Sequence, residues 1–366
     1  MTENIYRKLQ EHLDKMPIGF PKAQSGSDIR FLKYFFTPEE AKIATFLNFA
    51  WNRDFESLEQ IYDRIKNTGI SLKDLEKNLD NMAKKGAITS RRIGAKKYYA
   101  NTALILGMYE FQVNKLTEEF LKVLDEYSET WNAEANPTEL HQMRIIPVEV
   151  NVESKINIAP YDNVKKIIEE CDGPFVKANC ICRQDMEFRG EPCKMTRHNN
   201  NCLGFGDLAQ MYIDQGWGTQ ISKEETLEIL HRNQGEGLIF RPSNSQKVDF
   251  VCSCCYCCDG TITSLRNLPD PANYAVSNYY SQIDPELCTG CETCLERCQV
   301  KAITLIDNIA SIDLKRCIGC GNCIITCPSE AISLQKKEEQ HVPPQTMDDL
   351  YDMILIEKNK LKSKKK

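Results

Sequence analysis

The sequence predicts an α+β chain built from several domains. Three observations carry this expectation. The chain has 366 residues, more than a single hydrophobic core normally serves. Its 18 cysteines are confined to one stretch, with none before Cys171 and none after Cys327. Helical periodicity dominates the cysteine-free part, whereas short alternating runs such as "KAITLI" and "EAISLQ" in the cysteine-bearing part read as strands.

A net charge of −6 and 42% hydrophobic residues describe an ordinary water-facing protein with enough apolar surface for real cores. No apolar run reaches the roughly 20 residues that span a bilayer. The opening "MTENIYRKLQEHLDKM" reads as a polar amphipathic helix and lacks the apolar stretch of a secretory signal. A cytoplasmic location is therefore expected. In a reducing cytosol disulfides are rare, and cysteine clusters bind metal or carry redox chemistry.

Thr37-Pro38-Glu39-Glu40 has the form of a capping box with proline at the first helical position, and a helix is expected from there. "FESLEQIYDRIKNTG" reads as a second helix ending at glycine. A third begins at Ser71, with Leu72, Leu75, Leu79 and Met82 at helical spacing. "GAITSRRIGAKKYYANT" follows as two short strands around a basic glycine turn. Three helices and a hairpin resemble the winged-helix fold of many transcription regulators. The resemblance implies a nucleic-acid or protein-docking role. Arg91, Arg92, Lys96 and Lys97 on the hairpin are the candidates for phosphate contact. Between Thr37 and Asn101 there are 12 Lys and Arg against 9 Asp and Glu, a weak basic excess for a DNA reader. DNA binding is therefore not the favoured expectation. Residues 109–130 read as one long amphipathic helix, and 134–154 as a linker with an extended strand.

The middle part carries two cysteine groups. Cys180, Cys182, Cys193 and Cys202 lie in "NCICRQDMEFRGEPCKMTRHNNNC", and Cys252, Cys254, Cys255, Cys257 and Cys258 in "VCSCCYCCDG". Within the second, Cys252, Cys255 and Cys258 stand at i, i+3 and i+6, a spacing that offers three thiolates to one cluster. The fourth corner is expected from the first group. Nine thiols suffice for one or two metal centres. Iron–sulfur is the leading reading, with zinc and dithiol–disulfide chemistry as alternatives. Cys171 is isolated and reads as a half-buried thiol. His198 reads as a solvated loop residue, although it is a spare ligand candidate. Gly204, Gly206 and Ala209 match a dinucleotide fingerprint loosely, but polar residues precede it where a strand is required. "GDLAQMYIDQGWG" and "SKEETLEILHRN" read as helices, and "GLIFRP" and "KVDFVC" as strands.

The strongest signal is an internal repeat at an offset of 29 residues. "IDPELCTGCETCLERCQVKAITL" starts at Ile283 and "IDLKRCIGCGNCIITCPSEAISL" at Ile312. Cys288, Cys291, Cys294 and Cys298 map onto Cys317, Cys320, Cys323 and Cys327, each set reading C-x2-C-x2-C-x3-C. Over 283–334 the chain resembles the bacterial two-cluster ferredoxins, of the βαββαβ type. The resemblance implies two [4Fe–4S] clusters with crossed ligands. Cys288, Cys291, Cys294 and Cys327 would hold cluster I; Cys317, Cys320, Cys323 and Cys298 would hold cluster II. In the family, proline follows the fourth cysteine. Pro328 conforms, but Gln299 replaces it in the first repeat.

These readings divide the chain into a helical arm (1–36), a winged-helix-like domain (37–108), a connecting helix and linker (109–158), a cysteine-rich metal-binding domain (159–275), the ferredoxin-like domain (276–336), and a C-terminal helix with a basic, disordered tail (337–366). The layout resembles large ferredoxin-domain proteins of anaerobic bacteria. That implies electron transfer, as a carrier or as a subunit of a larger complex, with redox proteins as donor and acceptor. No general acid, base or nucleophile is placed for substrate chemistry. The competing readings are a redox-sensing transcription regulator and an iron–sulfur subunit whose middle centre is catalytic.

Overall fold

The computed structural model describes residues 2–50, 54–148 and 158–364. The chain divides into two units. One comprises 1–140, 210–217 and 348–366; the other comprises 141–209 and 218–347.

The first unit contains α1 (Thr2–Leu13), α2 (Ser27–Phe35), α3 (Pro38–Ala44), β1 (Glu56–Ser57), α4 (Leu58–Ile65), α5 (Leu72–Lys85), β2 (Ile88–Ile93), β3 (Lys96–Asn101) and α6 (Glu118–Glu134). The helix starts follow from side chains that satisfy orphan amides. Thr37 and Glu40 form a reciprocal capping box before α3, Ser57 and Gln60 do the same before α4, and Ser71 caps α5. Gly69 and Gly86 end α4's extension and α5 in left-handed conformations that glycine adopts without a Cβ clash. The sheet is antiparallel in the order β1-β3-β2, with a two-residue turn at Gly94 and Ala95. Leu75, Leu79 and Met82 of α5 are buried, as their spacing requires. Phe20, Phe31, Phe35, Phe120 and Tyr127 form an aromatic core between α2 and α6, closed by the Tyr127 hydroxyl donating to the Pro21 carbonyl at 2.8 Å.

Two expectations are corrected here. Residues 109–117 are not part of the long helix. Asn114 turns the chain at φ 62°, and the Thr117 hydroxyl accepts from the Phe120 amide, so α6 starts only at Glu118. The basic tail is not disordered through Lys364: it belongs to the last helix, Met347–Lys364. Lys358 is buried there, and its ammonium donates to the carbonyls of Asp14 and Met16 at 3.2 and 3.0 Å. A lysine stem on a packed face supplies both apolar area and a charge for exposed carbonyls.

The second unit is built on a five-stranded antiparallel sheet. Its elements are α7 (Val164–Glu170), β4 (Phe175–Ala178), α8 (Ile181–Phe188), β5 (Cys202–Phe205), β6 (Gly218–Ile221), α10 (Lys223–Gly235), β7 (Ile239–Pro242), β8 (Phe250–Cys254) and α11 (Gly260–Asn267); the helix α9 (Gly206–Asp214) starts in this unit and ends in residues assigned to the first. The strand order is β6-β4-β5-β8-β7. Ile167, Ile168, Phe205, Ile229, Phe240 and Val251 meet in the core on one side. Residues 149–157, where part of the linker strand was expected, lie outside the described residues; before them Ile146 bridges to Phe240. β5 contains Gly204 of the loose Gly204–Ala209 fingerprint, and the polar residues 197–201 before it carry no strand. β5 pairs antiparallel on both sides, so no βαβ unit is formed. A Cβ at Gly204 would sit 3.1 Å from Val176, so its glycine serves close packing.

The repeat follows as β9 (Tyr279–Ile283), α12 (Thr293–Arg297), β10 (Ile303–Ile306), β11 (Ile309–Ile312) and β12 (Ile332–Lys336). The pairs are β9 with β12 and β10 with β11, all antiparallel. The second helix expected in a βαββαβ order is present only as turns at 322–326.

Candidate metal centres

The loops of the repeat are shaped by two left-handed glycines. Gly290 has φ 67° and Gly319 has φ 69°, and a Cβ on either would collide with backbone, at the Asn308 and Tyr279 carbonyls respectively. Only glycine permits this turn between the first two cysteines of each loop. Cys288, Cys291, Cys294 and Cys327 line one cavity, walled also by Ile283, Ala310 and Ile332. Three of these sulfurs come from the first repeat and one from the second. The mirrored set is also together. Cys323 feels the charges of Cys320, Cys317 and Cys298, and Cys298 feels that of Cys317. Amide donors point at the sulfurs: Ser281 N–H at Cys317 (3.4 Å), Ala302 N–H at Cys298 (3.2 Å) and Ala310 N–H at Cys288 (3.4 Å).

Burial sets the acidity of these thiols. It pushes Cys294 up to about 11 and Cys320 up to about 12. Cys291 goes the other way, because the Thr293 hydroxyl, 3.5 Å away, stabilises its thiolate. Buried thiols that resist ionisation become thiolates when a cation joins them, so the donor set fits a thiolate-bound metal cluster.

Residues 280–328 match the 4Fe-4S dicluster domain family. This part is a ferredoxin-like iron–sulfur segment. The match marks the chain as an iron–sulfur electron-transfer protein. No curated protein and no solved structure matches the chain. No helix among the described residues is long and apolar enough to cross a membrane.

Gln299, the departure from the ferredoxin pattern, is buried and fully engaged. Its Oε1 accepts from the Tyr256 amide (2.8 Å), its Nε2 donates to the Gly237 carbonyl (2.5 Å), and its own carbonyl accepts from Arg266. Proline could make neither side-chain bond. Arg297 donates to the Gln234 and Gly235 carbonyls at the C-terminal end of α10 (2.9 and 2.6 Å), where orphan carbonyls favour a cation. The ferredoxin-like loop is thus bolted to the cysteine-rich part.

The nine middle cysteines separate into two groups. β8 carries Cys252 and Cys254 on one face and Ser253 on the other, as period-two alternation dictates. Cys252 is the cross-strand partner of Cys202 on β5. Cys180 immediately precedes α8, and Cys182 lies in its first turn. These five thiols act on one another's ionisation in sequence: Cys182 with Cys180, Cys180 with Cys202, Cys202 with Cys252, Cys252 with Cys254. Hydrogen bonds to Cys182 and Cys202 pull Cys180 down, and those to Cys202 and Cys254 pull Cys252 down. Beside them lies Arg241, buried, 2.9 Å from the Asp259 carboxylate and 3.9 Å from the Cys254 sulfur.

After β8 the chain turns, and Cys255, Cys257 and Cys258 face Cys193 instead. Their four sulfurs all lie within 4.8 Å of one another. This corrects the expected set of Cys252, Cys255 and Cys258: the strand ends between Cys254 and Cys255, so Cys252 belongs to the sheet and the other two to the turn. His198 is in neither group; its Nε2 lies 3.6 Å from the Glu236 carboxylate. Cys171 also stands apart, its thiol 3.6 Å from the Val248 carbonyl.

Sequence reasoning missed Arg183. It is 1% exposed, and its Nη2 donates to the Ser253 carbonyl (2.9 Å) and to the Cys255 sulfur (3.5 Å). Burial alone would weaken its hold on a proton, but the nearby charges of Cys180 and Cys255 outweigh this. The signal was present in "CICR", where a cation directly follows two thiols.

On the hairpin of the first unit, Arg92 pairs with Asp214 at 3.0 Å and Lys97 with Asp80 at 2.8 Å. Arg91 lies over the Phe55 ring at 5.4 Å. Lys96 is exposed.

Proposed function

We propose that the chain is an electron carrier, or the electron-transfer subunit of an anaerobic redox system. In this reading Cys288, Cys291, Cys294 and Cys327 hold one [4Fe–4S] cluster, and Cys317, Cys320, Cys323 and Cys298 hold the other. A further centre, iron–sulfur or zinc, sits where Cys180, Cys182, Cys202, Cys252 and Cys254 meet. The observation that carries the reading is the cavity lined by three cysteines of one repeat and the fourth of the other. When bound, such clusters take up and give up single electrons. The chain's own residues set the terms. Amide N–H groups aimed at sulfur favour added negative charge, and Ile283 and Ile332 give the cavity apolar walls. Among the 18 cysteines Cys291 alone is exposed, which favours that side for the approach of a redox partner.

The test is anaerobic purification followed by iron, sulfide and redox measurements. About 8 irons per chain or more, reducible at low potential and re-oxidised by an acceptor protein, supports the reading. An iron content near zero after anaerobic reconstitution would end it.

The order β1-β3-β2 with α3, α4 and α5 favours a winged-helix reading for 37–108. Within it, protein docking is preferred to DNA binding, because Asp214 and Asp80 already neutralise two of the four hairpin cations. Tight, salt-dependent binding to duplex DNA would reverse that preference and support a redox-sensing regulator.

A further inference from the structure

Sulfur spacing distinguishes metal centres of different size. A tetrahedral ion bound at about 2.3 Å holds its four sulfurs about 3.8 Å apart. In a cubane each thiolate sits on a different iron, and every iron is already displaced from the centre, so the sulfurs stand much further apart. Around the second group the sulfur pairs measure 3.6 Å (Cys193–Cys255), 3.8 Å (Cys193–Cys257), 3.7 Å (Cys255–Cys257) and 3.7 Å (Cys257–Cys258). Neither ferredoxin-like quartet closes to within 4.8 Å in this way.

We propose that Cys193, Cys255, Cys257 and Cys258 form a mononuclear tetrahedral four-thiolate site that binds zinc. This goes beyond the electron-transfer reading, because zinc has no redox role. Four further observations agree. Four thiolates at these separations repel one another strongly unless a cation lies between them. The Lys194 amide donates to the Cys257 sulfur at 3.4 Å, as amides do at thiolate-bound ions. Arg183 brings a buried positive charge to a site that would carry two net negative charges. Its Nη2 donates to the Cys255 sulfur at 3.5 Å and to the Ser253 carbonyl at 2.9 Å, which holds the guanidinium beside the four thiols. Finally, residues 191–201 carry no helix or strand, and "EPCKMTRHNNN" offers one large apolar side chain, Met195, which is only half-buried. A metal pin at Cys193 supplies the order that a hydrophobic core does not.

The experiment uses the full chain, purified anaerobically. Zinc, iron and sulfide are counted in the wild type, Cys193→Ala and Cys258→His. About one zinc per chain is expected, bonded to four sulfurs at about 2.3 Å by absorption-edge spectroscopy. Cys193→Ala should lose that zinc and keep its iron and sulfide. Cys258→His should keep the zinc with three sulfurs and one nitrogen, a readout that survives if the alanine variant does not fold. Loss of about four irons with matching sulfide from Cys193→Ala would put a cubane here and overturn the proposal. Loss of a single iron without sulfide would overturn the assignment to zinc. A zinc shell unchanged by Cys258→His would overturn the site.

Discussion

The two cysteine regions of this chain solve the same problem with opposite geometry. In the ferredoxin-like repeat, left-handed glycines turn each loop so that four sulfurs stand back around a cavity. In the cysteine-rich part, the turn after β8 gathers three sulfurs about Cys193, with Cys255 and Cys257 at 3.6 and 3.8 Å from it and Cys258 at 3.7 Å from Cys257. Both have buried thiols, and both answer the charge with amide donors. What differs is the space enclosed. On the two proposals above, the backbone selects the size of each centre before any metal arrives, and cysteine count alone does not reveal it.

The largest expected effect tests the repeat side of this comparison. Cys298 is adjacent in sequence to the first loop, yet its charge acts on Cys320 and Cys323 of the second. Cys298→Ala should therefore remove about four irons and leave the same residual electron paramagnetic resonance spectrum as Cys320→Ala. Cys291→Ala should leave the complementary spectrum. If Cys298→Ala instead resembles Cys291→Ala, the crossing is wrong and the comparison loses one of its sides.

Cys171 is the control that belongs to neither region. Burial pushes its thiol up to about 12. At pH 8 a free thiol of pKa about 8.5 is roughly one quarter thiolate, whereas Cys171 would be about one part in ten thousand. Because its folded value lies above the unfolded one, its contribution to stability is complete below about pH 8.5 and is lost as the pH rises toward about 12. Iodoacetamide at pH 8 should leave it unlabelled in the native protein, by mass spectrometry of peptides. Rapid labelling would show that Cys171 is not packed as described.

How much of this was legible in the sequence depended on distance along the chain. The grouping of Cys288, Cys291, Cys294 and Cys327 about one cavity was legible because each loop's three sulfurs are set by local spacing, and the repeat supplies the fourth by analogy. The helix starts at Thr37 and Ser71 were legible for the same reason. The grouping of the nine middle cysteines was not. It depends on the register of β5 against β8, which puts Cys202 opposite Cys252, and on where β8 stops. An i, i+3, i+6 rule borrowed from the neighbouring repeat gave the wrong partners. The last helix was misread because Lys358 looks like a solvated charge until its carbonyl partners are brought to it.

On the other side of the comparison, Arg183 separates charge compensation from sulfur geometry. Arg183→Met keeps much of the volume and removes the cation beside Cys255. Loss of such a supporting contact typically weakens metal binding about 10- to 100-fold. Chelator competition should show the middle metal leaving sooner, while the iron of the repeat is retained. Equal retention of both would mean that the guanidinium stabilises the fold and not the ion.

Gln299 joins the two regions, and its effect should be the smallest and most local. Gln299→Ala removes the acceptor of the Tyr256 amide and one donor to Gly237, while Asn322 still donates to the Gly237 carbonyl at 3.0 Å. One carbonyl therefore stays satisfied and one buried amide does not. The net cost should be about 1 kcal/mol, or roughly fivefold in local opening. Hydrogen exchange at the Tyr256 amide reads it directly. Faster exchange there, with metal content unchanged, would show that the bolt is mechanical and that each region holds its own centre. Metal lost from either region would show instead that the two geometries depend on each other.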